Sequence, residues 1–163
     1  MCGIFISNHP DVTQKSEKII SQGLDFRGPD GSSGLIDDGK WKSYHSRLTI
    51  IDVTDGTNQP VLNDDGSQLI FNGEILNYKE LGFKYLNKEY FSDTFLLNDL
   101  IKAKKLNLEE LDGFFAFVFI NSFGDLEYAC RDKFGVKPLY FIKDKEFISF
   151  SPIKTLRAPA FFN

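Results

Sequence analysis

Phe114 to Ile120 is an unbroken apolar run, with no charge and no turn residue inside it. A strand with one wet face alternates apolar and polar residues; a continuous run of this length fits a strand covered on both faces. The flanking pattern supplies the covers. Cys2 to Ser7 is predicted as a short apolar strand, closed by Asn8-His9-Pro10. Residues 13–24 carry Ile19, Ile20 and Leu24 at helical spacing behind Thr13, a possible cap. Strands are predicted at Lys40 to Tyr44, Arg47 to Val53 and Gln68 to Asn72. Ser92 to Ala103 predicts a second helix, with Phe95, Leu96, Leu100 and Ala103 recurring along it and Ser92 at the N-cap position. Asp125 to Cys130 is a further strand, and Leu139 to Phe150 a hairpin turning at Lys143-Asp144-Lys145-Glu146. The order β, helix, strands, helix, strands describes an α+β chain: two sheets packed together, helices outside.

Composition sets the boundaries. The 163 residues suffice for one substantial core, and no repeat or Pro/Gly/Ser-rich linker divides them, so one domain over 1–163 is expected. A hydrophobic share of 42% excludes a disordered chain. A net charge of −4 argues against tracking nucleic-acid phosphates. No apolar run approaches the roughly 18–20 residues of a membrane span. The N-terminus lacks the basic-then-apolar order of a signal peptide, so Cys2 is not expected to be lost to signal cleavage, and the cytoplasm is the expected location. Cys2 and Cys130 are the only cysteines. They make neither a disulfide scaffold nor a zinc site, and His9 and His45 share no ligand spacing with them; no metal is expected.

The second residue carries the sharpest chemistry. Small residues after an initiator methionine let it be trimmed, and loss of Met1 would give Cys2 a thiol and a free α-amine on one carbon. An N-terminal amine, with a pKa of about 7.7–8.0, is one of the bases that activate a nucleophile at neutral pH. The competing reading is a small apolar residue opening an edge strand. Other segments are equally double-edged alone. Asn72-Gly73 offers a side-chain amide and a backbone N–H to an oxyanion, but Asn-Gly is also the commonest type I′ hairpin dipeptide. Arg47 suits a carboxylate gripped at two points, or a surface ion pair. Asp93 could meet an ammonium, or only complement a helix dipole. Arg27-Gly28-Pro29-Asp30-Gly31 and Arg131 to Tyr140 read as structured loops.

In combination and in this order, eight stretches resemble one family. They are Met1-Cys2-Gly3-Ile4, Arg27-Gly28-Pro29-Asp30, His45-Ser46-Arg47-Leu48-Thr49-Ile50-Ile51-Asp52, Asn58-Gln59-Pro60, Asn72-Gly73-Glu74-Ile75, Ser92-Asp93-Thr94, Leu111 to Phe117 and Arg131 to Tyr140. They resemble the class II, N-terminal-nucleophile glutamine amidotransferase domain at the front of asparagine synthetases. The resemblance implies a four-layer αββα sandwich of the N-terminal-nucleophile hydrolase type. It implies Cys2 as nucleophile with its α-amine as base, and Asn72 and Gly73 as the oxyanion hole. Arg47 would hold the substrate α-carboxylate and Glu74 and Asp93 the α-ammonium, with backbone groups of Leu48, Ile50 and Ile51 completing the pocket. The implied substrate is glutamine, hydrolysed without metal or organic cofactor to glutamate and ammonia.

The departures from the family are Leu76 in place of a tyrosine, Phe95 in place of a glutamate and Pro152 in place of a glutamate. None removes a reacting group. The segment between Glu74 and Asp93 is short for the family, and a different loop over the pocket is expected there. Nothing in the 163 residues resembles a nucleotide-binding synthetase loop. The expected role is therefore an amidotransferase subunit supplying ammonia to a separate synthetase. The other readings are a free-standing glutaminase and a catalytically silent glutamine-sensing module; the intact reacting groups weigh against the last.

Overall fold

The structure, a computed structural model, describes residues 2–48 and 59–154. Two antiparallel sheets lie face to face. The first has strand order β2-β4-β1-β10-β9, with β3 also pairing β4. Its members are β1 (Gly3–Ser7), β2 (Gly31–Ser32), β3 (Ile36–Asp37), β4 (Lys42–Arg47), β9 (Tyr140–Asp144) and β10 (Phe147–Ser151). The second, in order β5-β6-β7-β8, holds β5 (Val61–Leu62), β6 (Gln68–Ile75), β7 (Gly113–Ile120) and β8 (Leu126–Arg131). Helix α1 (Glu17–Leu24) covers the first sheet and α3 (Asp93–Lys102) the second; the short α2 (Tyr78–Leu81) leads into a π-turn, Gly82–Leu86.

Side-chain alternation sorts the apolar residues into three layers. Ile4 and Ile6 of β1 join Ile70, Val118, Ile120 and Phe150 between the sheets, with Trp41. Phe5, one step out of phase, turns to the other face and packs with Ile20, Leu24 and Tyr44 under α1. On the second sheet Leu69, Phe71, Phe117 and Phe119 turn outward to Leu96, Leu97, Leu100 and Ile101 of α3. From Phe115 to Ile120 both faces of β7 are thus dry, while Phe114 at the start of the run is exposed; each large side chain so buried contributes about 1.5–3 kcal/mol by leaving water. The four layers αββα are those expected.

Several local expectations change. The two strands predicted at Lys40 to Tyr44 and Arg47 to Val53 are represented by one, β4, which ends at Arg47; positions 49–53 lie outside the described residues. The first predicted helix opens as a 3-10 turn, Gln14–Ser16, and Ile19 is half exposed while Ile20 and Leu24 are buried. Ser92 does occupy the N-cap position of α3, but its hydroxyl makes no cap bond; the Asp93 carboxylate accepts from Thr94 N instead. The segment after Glu74 is not an open loop: Asn77 ties it down, donating to the Glu110 carbonyl and accepting from Asp112 N. β2, β3 and β5 are two-residue strands defined by their partners, with no apolar pattern of their own. The last hairpin turns where expected, with Lys145 in the left-handed region at φ 54°.

Asp132 anchors the Arg131 to Tyr140 segment. Its buried carboxylate accepts from the backbone N–H groups of Phe115, Phe134, Val136 and Lys137, at 3.0–3.2 Å. Burial pushes the carboxyl up, but these donors together outweigh it and hold it below the usual range.

Candidate active site

Cys2 immediately precedes β1, half-buried, at the end where β1 pairs with the last residues of β4. The Leu48 N–H donates to Cys2 Sγ at 3.4 Å, and Sγ lies 3.6 Å from the Leu48 carbonyl. Ser46 braces the backbone that follows: Gly3 N donates to its Oγ at 3.1 Å, and that hydroxyl donates to the Leu24 carbonyl at 2.8 Å. Gly3 has no room for a side chain, since a Cβ would land on Ser46 Oγ. Gly28 is confined in the same way by the Ser46 carbonyl. The Arg27-Gly28-Pro29-Asp30 loop therefore lies flat on β4, closed by Asp30 N donating to the Arg47 carbonyl at 3.0 Å. This puts Arg27 beside the cysteine: its Nε donates to the Cys2 carbonyl at 3.5 Å. Burial lowers the guanidinium's pKa, and the charge of Cys2 pushes it partly back.

Arg47 is half-buried at the end of β4, opposite Gly31. Its alternation partner His45 stands opposite Ile4, an inter-sheet residue, so His45 and Arg47 both face the second sheet. Burial, then the Arg47 charge, pulls the His45 pKa down to about 4.

Asn72 and Gly73 lie inside β6, paired with Ala116 and Phe115 of β7. The hairpin-turn reading of this dipeptide is thereby corrected: the ladder continues through it to Ile75. Gly73 is required by close approach, because a Cβ there would collide with the Phe114 carbonyl and the Phe115 backbone. The strand is clamped just before Asn72 by Gln59, whose buried side-chain carbonyl accepts from Phe71 N at 2.5 Å. Asn72 shares the inter-sheet face with Ile70. Its side chain is fully buried, yet neither Nδ2 nor Oδ1 has a protein partner. Unpaired buried amide atoms cost about 1–3 kcal/mol each, so their retention needs a reason.

Glu74 follows on the same strand, and Asp93 opens α3 alongside. One Asp93 oxygen accepts from Ile75 N at 3.0 Å, the other from Thr94 N at 2.8 Å. Burial raises the Asp93 pKa against these bonds, and the Glu74 charge raises it further. Two carboxylates therefore stand close together at the end of the second sheet.

The first sheet thus gathers Cys2, Arg47 and Leu48, and the second Asn72, Gly73, Glu74 and Asp93, with β1 packed across β6. Ile50 and Ile51 lie outside the described residues. Cys130 is remote in kind as well as position: it sits within β8 opposite Phe117, and burial pushes its thiol up. A groove of about 790 Å³ between β8 and the β9–β10 hairpin is lined by Cys130, Arg131 and apolar neighbours and contains none of the other groups. Among the described residues no three His, Cys, Asp or Glu side chains cluster as metal ligands, and no helix is long and apolar enough to cross a membrane. Sequence reading missed the contacts of Arg27, Ser46 and Gln59. All three lie in the quoted motifs, but the signal was only their presence there.

A family model described as "Glutamine amidotransferase domain" matches residues 1–162. The chain is 36% identical over 152 residues to "Asparagine synthetase [glutamine-hydrolyzing] 1" of Bacillus subtilis, covering 86% of this chain and 24% of that protein. It is 35% identical over 148 residues to "Asparagine synthetase [glutamine-hydrolyzing]" of Asparagus officinalis, covering 86% and 25%. The chain thus spans about a quarter of the length of these curated relatives. Among solved structures, the glutamine phosphoribosylpyrophosphate amidotransferase from B. subtilis superposes with a TM-score of 0.65 at 18% identity, over 93% of this chain and 42% of that one. At that identity the likeness concerns the fold, an N-terminal-nucleophile hydrolase sandwich.

Proposed function

Since the chain belongs to the glutamine amidotransferase domains, of the class II, asparagine-synthetase type, we propose that it hydrolyses the side-chain amide of glutamine through a thioester on Cys2. The observation that carries this reading is the buried Asn72 amide: unpartnered, beside a glycine that admits nothing larger, on the face turned toward the cysteine-bearing sheet. A catalytic donor held ready for a charge that appears only during reaction is expected to lack a partner in the resting fold.

Removal of Met1 frees the α-amine of Cys2, which takes the thiol proton. The thiolate attacks the amide carbon of glutamine, and the C=O electron pair moves onto oxygen. The Asn72 amide and Gly73 N–H stabilise that oxyanion. The oxyanion pair re-forms the C=O bond as the C–N bond breaks, the leaving nitrogen takes the proton held by the Cys2 α-ammonium, and ammonia departs. Water, deprotonated by the same amine, cleaves the thioester to glutamate and regenerates the thiol. Arg27 places positive charge beside the sulfur during attack. Arg47 grips the substrate α-carboxylate. Glu74 and Asp93 receive its α-ammonium, which offsets the burial, and the smaller repulsion from Glu74, that raise the Asp93 pKa. Leu48, Ile50 and Ile51 are assigned the pocket wall. No metal or organic cofactor enters these steps.

The ammonia is supplied, in this proposal, to a synthetase outside these 163 residues, on a separate subunit. Steady-state assay of the full chain with glutamine, reading glutamate and ammonia in equal amounts, tests the hydrolysis. Turnover of neither, with or without an added synthetase and its acceptor, would favour a glutamine-sensing module instead.

Arg47→Lys is expected to raise the KM for glutamine at least about tenfold while leaving kcat within a few-fold, because lysine keeps the charge but not the planar two-point grip. Alkylation of Cys2 by iodoacetamide, which needs no carboxylate, should proceed at an unchanged rate in the same variant. Equal losses in both measurements would remove Arg47 from the substrate.

A further inference from the structure

Among the described residues, three buried side-chain nitrogen or oxygen atoms lack a protein partner: Asn72 Nδ2, Asn72 Oδ1 and His45 Nε2. The mechanism above uses Asn72 as a donor and leaves His45 idle. Yet His45 is buried to 3% exposure on the same inter-sheet face. It stands opposite Ile4, Asn72 is two residues from Ile70, and Ile4 and Ile70 pack in one cluster. Leaving one polar atom unpaired between two apolar strands is costly; leaving three in one layer points to a shared partner.

We propose that His45 is a positioning residue for the oxyanion hole, bonded through one bridging water to Asn72 Oδ1 so that Nδ2 is turned toward the substrate. The inference rests on the oxyanion role given to Asn72. An amide's two ends are nearly equal in shape, and a bare pocket would hold Asn72 in either orientation. Only one presents N–H to an oxyanion; the flipped one presents a carbonyl and repels it. A water between two groups spans about 5–6 Å, the sum of two ordinary hydrogen bonds, a reach suited to side chains carried on the inner faces of two packed sheets. The imidazole stays neutral near pH 7, because burial and the Arg47 charge keep its pKa near 4. It therefore offers one N–H and one lone pair, and adds no fixed charge that would bind glutamine more tightly.

The test is a double-mutant cycle on the full chain, measuring kcat and KM for glutamine hydrolysis. His45→Phe keeps a ring of similar size without nitrogens. It is expected to lower kcat about five- to tenfold, the weight of one neutral hydrogen bond, with KM within twofold. In an Asn72→Ala background the same change should alter kcat less than about twofold, since no amide remains to orient. His45→Gln, which restores a donor and an acceptor, should recover most of the loss, and it serves in place of His45→Phe if that variant is insoluble. A merely structural histidine would instead lower the melting temperature and cost the same factor in both backgrounds, which overturns the proposal. So does an effect confined to KM. If Asn72→Ala is reduced as expected but His45→Phe is not, the positioning role alone falls; if Asn72→Ala is fully active, the oxyanion reading falls with it.

Discussion

Cys2→Ala is expected to abolish glutamine hydrolysis, to below about 10⁻⁴ of the parent rate, while leaving the thermal melting midpoint within a degree or two. The thiol is the only group in the proposed scheme that forms a bond to substrate, and no neighbouring side chain can replace it. Its structural contribution is small. Cys2 is half-buried and precedes β1; alanine gives up only the long Leu48 contacts to Sγ, while the Gly3 N–H bond to Ser46 that holds the following backbone is untouched. Cys130→Ala supplies the contrast. That residue is half-buried against the α3-side core, so its loss costs modest stability, and turnover should be unchanged. Its thiol is also pushed up by burial, which makes it a poor nucleophile at neutral pH. Equal losses in the two variants, read by glutamate release, would mean that the reacting thiol is misassigned.

Asn72→Ala should lower kcat by about 10²–10³ with little change in KM, because the amide would act on charge absent from the ground state. The variant is expected to fold. It removes buried polar atoms that have no protein partner, so the desolvation already incurred is recovered against the loss of side-chain volume. Stability close to the parent's, measured by thermal melting beside the kinetics, would separate catalysis from structure. A change confined to KM would assign Asn72 to substrate binding alone.

The layered fold was legible because its evidence is periodic. The apolar run Phe114 to Ile120 demanded cover on both faces, and from Phe115 onward the structure provides α3 on one side and the β1 sheet on the other. Strand continuity was less legible where local and distant forces disagree. Asn72-Gly73 has the composition of a turn, yet pairing with Ala116 and Phe115 keeps β6 extended, a choice made some forty residues away. The short strands β2, β3 and β5 exist only through their partners, so no pattern within them could reveal them. The reacting residues were readable as types in a known order. Their supports were not: the Ser46 brace spans 43 residues to Gly3, and the Gln59 clamp acts through a side chain on a strand 12 residues on. Such contacts follow from register, which is set by the whole sandwich and not by adjacent sequence.

The central claim is that Cys2, freed of Met1, is the N-terminal nucleophile for glutamine. Intact-mass spectrometry of the active protein, before and after exposure to a diazoketone analogue of glutamine, tests it most directly. The expected result is a chain lighter by one methionine that gains a single adduct, mapped to Cys2, with labelling suppressed by excess glutamine and activity lost in proportion. An adduct on Cys130, or full turnover by a chain that retains Met1, would contradict it.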